Sequence, residues 1–195
     1  VQLFYEGISI MKLLIASDIH GSAYYCRKLL EAGAREEAPR MLLLGDVLYH
    51  GPRNDLPKEY APKEVIAMLN PLKDMIYCVR GNCEAEVDQM VLEFPVLADY
   101  CLLPVGEQMI YATHGHIYNE NNLPPMKDGD ILLHGHTHVP RADIIGNHWI
   151  LNPGSVAIPK GGSKPGYATL EDGVFTLKTI EGEAYKEVDL TTIME

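Results

Sequence analysis

The sequence predicts an α/β fold in which two mixed β-sheets pack together with helices outside. Apolar runs alternate with helical segments in the first half, and paired runs across two-residue turn signals fill the second. The length of 195 residues suits one domain able to bury a core without disulfides or structural metal. No repeat or linker divides it.

The first strand is expected at Lys12–Ser17, KLLIAS, a short run of buried-strand character. Ser22 to Ala34 reads as a helix closing near Gly33. Arg40–Leu44 is a second run, ended by Gly45-Asp46. After a polar, proline-rich loop, Pro62 stands in the first turn of a helix to Leu69, where a missing N–H costs nothing. Met75–Val79 is the third run, with a short helix over Glu84–Leu92. Strand–helix alternation of this kind gives parallel strands with right-handed crossovers.

Hairpins follow. Tyr100–Val105 and Gln108–Thr113 flank Gly106-Glu107. Ala142–Ile145 and His148–Leu151 flank Gly146-Asn147, and Tyr167–Glu171 and Val174–Ile180 flank Asp172-Gly173. Before Met11 stands VQLFYEGISI, which lacks a basic n-region and a cleavage site. With Met11 before a strong strand as the natural start, residues 1–10 are expected to be a non-native or mis-annotated leader and 11–195 the domain.

Composition narrows the function. The net charge of −11 argues against a hold on long nucleic acids, which rests on Lys and Arg neutralising phosphates. A small phosphate ester remains open if the site supplies positive charge. Cys26, Cys78, Cys83 and Cys101 are scattered, with no CxxC pair, as in a reduced cytoplasmic protein. No apolar run reaches the ~20 residues a membrane span needs. A homo-oligomer is left open.

Polar residues gather where strands end. The runs finish in SDIHG (Asp18, His20), GDV (Asp46), GN (Asn82), ATHGH (His114, His116) and HGHTH (His134, His136, His138). Ligands of open α/β sheets bind beyond the carboxyl ends of strands, so these groups can converge, with glycines 45, 81, 115 and 135 allowing a tight backbone. Alternate residues of an extended segment share a side, which would put His136 and His138 together. Each motif alone is more often a turn; the ordered series is not.

That series, DxH, GD, GN, GH and GHxH between Met11 and about Gly162, resembles the calcineurin-like metallophosphoesterase superfamily. Tyr49–Pro62, GNCE, THGH and NPGS further resemble its small bacterial phosphodiesterases. The resemblance implies a four-layer αββα sandwich and a dinuclear metal site. Asp18, His20, Asp46 and His138 would hold one metal. Asp46 would bridge to a second, held also by Asn82, His114 and His136. Imidazole, carboxylate and amide oxygen suit Mn²⁺, the expected metal, or Fe²⁺, Zn²⁺ or Ni²⁺. Two dications against two carboxylates and a bridging hydroxide leave a charge of about +1, enough to draw in a small phosphodiester. Attack by that hydroxide in line with the leaving group needs no covalent intermediate.

Where the superfamily has a histidine that protonates the leaving oxygen or stabilises the transition state, this chain has Cys83. The phosphatase signature C-x5-R would need arginine at position 89, where Gln89 stands, so a nucleophile is disfavoured. A small packed residue is favoured over a weak acid. Esters with good leaving groups should then be preferred. His116 is a candidate donor or a supporting histidine. His50, Arg53 and Arg80 are candidate substrate contacts, Arg53 by forking onto a phosphate oxygen. His134 and NPGS (Asn152–Ser155) read as structural, and PKGG (Pro159–Gly162) as a lip. Two rival readings come from the same superfamily: a retromer-type scaffold with little activity, and a phosphomonoesterase or nucleotide phosphatase. A scaffold should have lost ligands, and all seven positions are filled. A monoester carries an extra charge and wants more basic residues than the sequence supplies.

Overall fold

The computed structural model describes residues 12–191, so the expected start at Met11 and the leader before it lie outside the described residues. The strands are β1 (Leu13–Ala16), β2 (Arg40–Leu43), β3 (Ile76–Cys78), β4 (Tyr100–Val105), β5 (Gln108–Thr113) and β6 (Ile131–Leu133). After these come β7 (Arg141–Ile145), β8 (His148–Asn152), β9 (Gly166–Glu171), β10 (Val174–Thr179) and β11 (Ala184–Asp189). The helices are α1 (Ala23–Arg35), α2 (Pro62–Leu69) and α3 (Glu86–Val91).

Two mixed sheets result, ordered β11-β10-β9-β1-β2-β3 and β4-β5-β6-β8-β7. β1, β2 and β3 run parallel, as predicted, and β9 joins β1 antiparallel. The inward faces meet in a core of Ile15, Leu42, Leu44, Ile110, Leu133, Leu151, Phe175 and their neighbours. The opposite face of the first sheet packs on α1 and α2 through Leu14, Leu43, Leu29, Val65 and Leu69. Ser22 caps α1 by accepting from the Tyr25 N–H at 3.2 Å, satisfying one of the orphan donors of the first turn.

The outer layer of the second sheet is irregular. Tyr111 donates its hydroxyl to the Pro125 carbonyl at 2.9 Å, and the Tyr100 ring meets Tyr118 edge-on. β11 was not foreseen, because its residues are almost all exposed and it carries no apolar alternation. Among the described residues no helix is long and apolar enough to cross a membrane.

Candidate metal centre

The ends of β1, β2, β3, β5 and β6 point at one place, and the loops there turn sharply. Asp18, His20, Asp46, His136 and His138 have φ of 60°, 49°, 55°, 64° and 61°. Non-glycine residues rarely enter this left-handed region, and such strain collects where function holds it. Here lies a correction. His136 and His138 do line one cavity, but not by strand alternation, since both sit in left-handed backbone on either side of Thr137.

The seven residues form two groups that share Asp46. In the first, the Asp18 Oδ1 lies 3.2 Å from His138 Nε2 and 3.5 Å from His20 Nε2, and those two nitrogens are 3.3 Å apart. In the second, His114 Nε2 lies 3.1 Å from Asn82 Oδ1 and 3.2 Å from His136 Nδ1. A single oxygen, Asp46 Oδ2, faces both, at 3.7 Å from His20 and 3.5 Å from His114.

The far side of each ring is committed. His20, His114 and His138 direct Nδ1 at the carbonyls of Tyr49, Leu44 and Ile158, at 2.7, 2.6 and 2.5 Å. With Nδ1–H donating there, each Nε2 presents a lone pair, the arrangement of a metal-binding imidazole. Asp18 Oδ2 accepts from the Ser17 hydroxyl and the His136 N–H, whereas its buried Oδ1 has no hydrogen-bond partner. Facing lone pairs and an orphaned carboxylate oxygen call for positive charge between them.

The electrostatics agree. Burial would lower His114, but Asp46 and Asp18 outweigh it and push the imidazole up to about 9. Burial would raise Asp18, yet the His138 and His20 imidazoles hold it well below the usual carboxylate range. Burial, then the positive His114, push His136 down to about 4. The pocket stabilises positive charge, and the donor set fits divalent cations.

Two glycines make room. A side chain at Gly81 would collide with Asp46 and Glu84, and one at Gly135 with Ser17. Gly45 and Gly115, where a side chain would also collide, supply positive φ as well, 90° and 111°. Beneath the site Asn152 donates to the Gly135 carbonyl and Thr137 hydroxyl, and Ser155 to the Asp18 carbonyl, as NPGS was expected to do.

His20, Asp46, Asn82, His136 and His138 open into a cavity of about 430 Å³ lined also by Gly51–Asn54, Cys83, Thr137 and Lys160. Arg53 lines it, and Lys160 joins it from the PKGG segment. His50 does not line it, because its ring packs edge-on between Tyr49 and Tyr60. Arg80 turns away to the Glu84 carbonyl at 3.4 Å. His116 packs edge-on against the His114 ring, and burial followed by His114's charge lowers its pKa. Buried His134 places Nδ1 3.1 Å from the Gly135 carbonyl, with Nε2 3.7 Å from Glu120.

Cys83 is not the packed residue favoured from sequence. It is half-buried on the cavity wall, and its sulfur is within ligand reach of His20 and Asp46. Burial and the neighbouring Asp46 charge push its thiol far up, which disfavours a thiolate nucleophile. Sequence reasoning gave Glu84 no role, although it closes the GNCE motif. Burial and Asp46 push its carboxyl up to about 7, against three backbone N–H bonds that pull it down.

A model of the calcineurin-like phosphoesterase superfamily domain matches residues 11–172. The chain belongs to that superfamily. It is thereby a hydrolase of phosphoric esters, and the superfamily's divalent metal ions have a donor set here to match. Phosphodiesterase YfcE of Escherichia coli K12 is 43% identical over 175 residues, 90% of this chain and 95% of that one. The solved structure of E. coli YfcE, described as a phosphoesterase, superposes with a TM-score of 0.89 at 42% identity, covering 93% and 100% of the two chains. The probable metallophosphoesterase YsnB of Bacillus subtilis is 26% identical over 86% of this chain and 89% of its own. Vacuolar protein sorting 29 of Cryptosporidium parvum, at 20% identity and a TM-score of 0.58 over 91% and 97%, shares the fold.

Proposed function

We propose that this protein is a dinuclear metal-dependent phosphodiesterase acting on small phosphodiesters with good leaving groups. The observation that carries the reading is the single Asp46 oxygen facing two groups of convergent donors. Asp18, His20, His138 and Asp46 would hold one ion, and Asp46, Asn82, His114 and His136 the other. Mn²⁺ is the favoured ion on the basis of these oxygen and imidazole donors. When bound, such a pair activates water and neutralises charge on phosphate oxygens.

The remaining chemistry falls to the chain. Arg53 and Lys160 bring two cationic side chains to a cavity in an acidic protein and draw the ester's anion in. Water adds to phosphorus in line with the leaving oxygen, the P–O bond to that oxygen breaks, and it departs as alkoxide or phenolate, which solvent then protonates, leaving a monoester. No side chain is needed as nucleophile, in keeping with the raised Cys83 thiol. That thiol, where the superfamily has histidine, is a poor proton donor, so the leaving group must carry its own negative charge. Aryl esters do this better than alkyl esters.

The relative YfcE is named a phosphodiesterase, which favours diester over monoester cleavage. The scaffold reading is supported only by fold likeness to vacuolar protein sorting 29, and a full donor set weighs against it. The deciding assay reconstitutes metal-free protein with Mn²⁺, then compares an aryl phosphodiester, an aryl phosphomonoester and a cyclic nucleotide. The aryl diester should turn over fastest and only with metal. Inactivity on all three with every divalent ion would favour the scaffold, and monoester preference would favour the phosphatase.

A further inference from the structure

We propose that Glu84 is a positioning residue that clamps the loop after β2 to the loop after β3 and so sets the place of Asp46. The inference rests on the dinuclear reading above and adds to it a residue that touches neither metal nor substrate.

Glu84 is 5% exposed. Its Oε2 accepts from the Asp46 N–H at 2.8 Å and the Gly81 N–H at 2.5 Å, and its Oε1 from the Val47 N–H at 2.7 Å. One carboxylate therefore holds three backbone donors from two loops. The neighbouring Cys83 N–H donates to Asp46 Oδ1 at 2.9 Å. Asp46 is thus held at both ends from one short segment, its backbone by Glu84 and its Oδ1 by Cys83, which leaves Oδ2 to face both donor groups. Asp46 also sits at φ 55°, a conformation that persists only when its surroundings over-determine it.

The chemistry requires a carboxylate of this length. A glutamine would turn an NH₂ towards at least one of the three N–H donors. An aspartate is shorter by one methylene and reaches less far across the two loops. Among the described residues no salt bridge reaches the Glu84 carboxylate, and Arg80 bonds only its backbone carbonyl. The three N–H groups are its partners, and they gain a fixed anchor in return.

A structural role alone would lower stability without touching metal affinity, so the test separates the two. Metal-free wild type, Glu84→Gln and a control, Asp130→Asn, are titrated with Mn²⁺ by calorimetry and melted without metal. Asp130 is also buried and accepts the Met109 and Lys127 N–H groups, both at 2.9 Å, but it precedes β6 at the end away from the site. Glu84→Gln should weaken Mn²⁺ binding roughly 10–100-fold, the usual loss when a support of a metal ligand is removed. At saturating metal its KM for an aryl diester should stay within about twofold of wild type, because uniform substrate binding is untouched. Asp130→Asn should lower the melting temperature and leave Mn²⁺ affinity alone. If Glu84→Gln cannot be purified folded, Glu84→Asp carries the same titration with the same expectation. Mn²⁺ affinity within about threefold of wild type in the folded Glu84 variant would overturn the clamp. A wild type that takes up no divalent ion would instead overturn the metal reading beneath it.

Discussion

The Nε2 atoms of His20 and His138, 118 positions apart in the chain, face each other at 3.3 Å. Each ring has its Nδ1 at a backbone carbonyl, so a positive charge must lie between them, either a proton or a metal ion. The same holds at His114, which Asp46 and Asp18 push up to about 9.

Metal loading should therefore release protons. His114 carries a proton at pH 7 in the metal-free protein, and a ligating imidazole must give it up. Mn²⁺ titrations at pH 7 in buffers of different ionisation enthalpy should report about one proton or more released, with affinity rising as pH increases towards 9. A binding heat independent of buffer would contradict this.

Asp46→Asn should cripple the site more than loss of any other carboxylate, because one Asp46 oxygen serves both donor groups. We expect turnover of an aryl diester to fall at least ~10³-fold, about 4 kcal/mol of transition-state stabilisation. Calorimetry should show fewer Mn²⁺ ions bound per chain. Full stoichiometry with near-normal turnover would count against a shared ligand.

Cys83→His restores a proton donor on the cavity wall. A positioned general acid is worth ~10²–10⁴ in rate, and most where the leaving group is poor. Alkyl diesters should gain more than aryl diesters, flattening the dependence of rate on leaving-group pKa. Equal slopes for the two proteins would remove the leaving-group preference from the proposal.

Arg53→Ala and Lys160→Ala should each raise KM for a diester about 10-fold while kcat changes less than about threefold, as for loss of uniform binding. Arg53→Lys should recover only part of the loss, since lysine lacks the planar fork. A fall in kcat at unchanged KM would move these residues from binding to catalysis.

Away from the site, Glu36 joins α1 to the first sheet. It accepts from the Tyr167 hydroxyl at 2.7 Å and from Lys178 Nζ at 2.7 Å. Burial would raise its carboxyl, but Lys178 and Tyr167 outweigh it and hold the group below its ordinary 4.5. A depressed pKa contributes stability that is present above the unfolded value and lost as pH falls through the folded one. Glu36→Gln should cost about 2 kcal/mol at pH 7, the scale of a charge-assisted hydrogen bond, and lower the melting temperature by several degrees. The gap should narrow below pH 4.5, and a gap unchanged at pH 3 would refute the linkage.

The order of strands and helices was legible because it is written locally. Apolar runs, Pro62 at a helix start and the three turn dipeptides each act within a few residues. The donors at the strand ends were legible for the same reason: a motif names residue types that one loop presents. β11 escaped because an exposed edge strand need not carry an apolar stripe.

What the sequence determined, then, is which chemical groups arrive at one edge of the sheets. Only the tertiary structure decided how each imidazole is aimed, through left-handed turns at His136 and His138 and carbonyls supplied by Tyr49, Leu44 and Ile158. It also turned His50 and Arg80 aside, brought Lys160 to the cavity and set Glu84 across two loops. The physical reason is range. Secondary structure follows from neighbours in the chain, whereas the aim of a lone pair is fixed by backbone donors and acceptors that meet it only after folding.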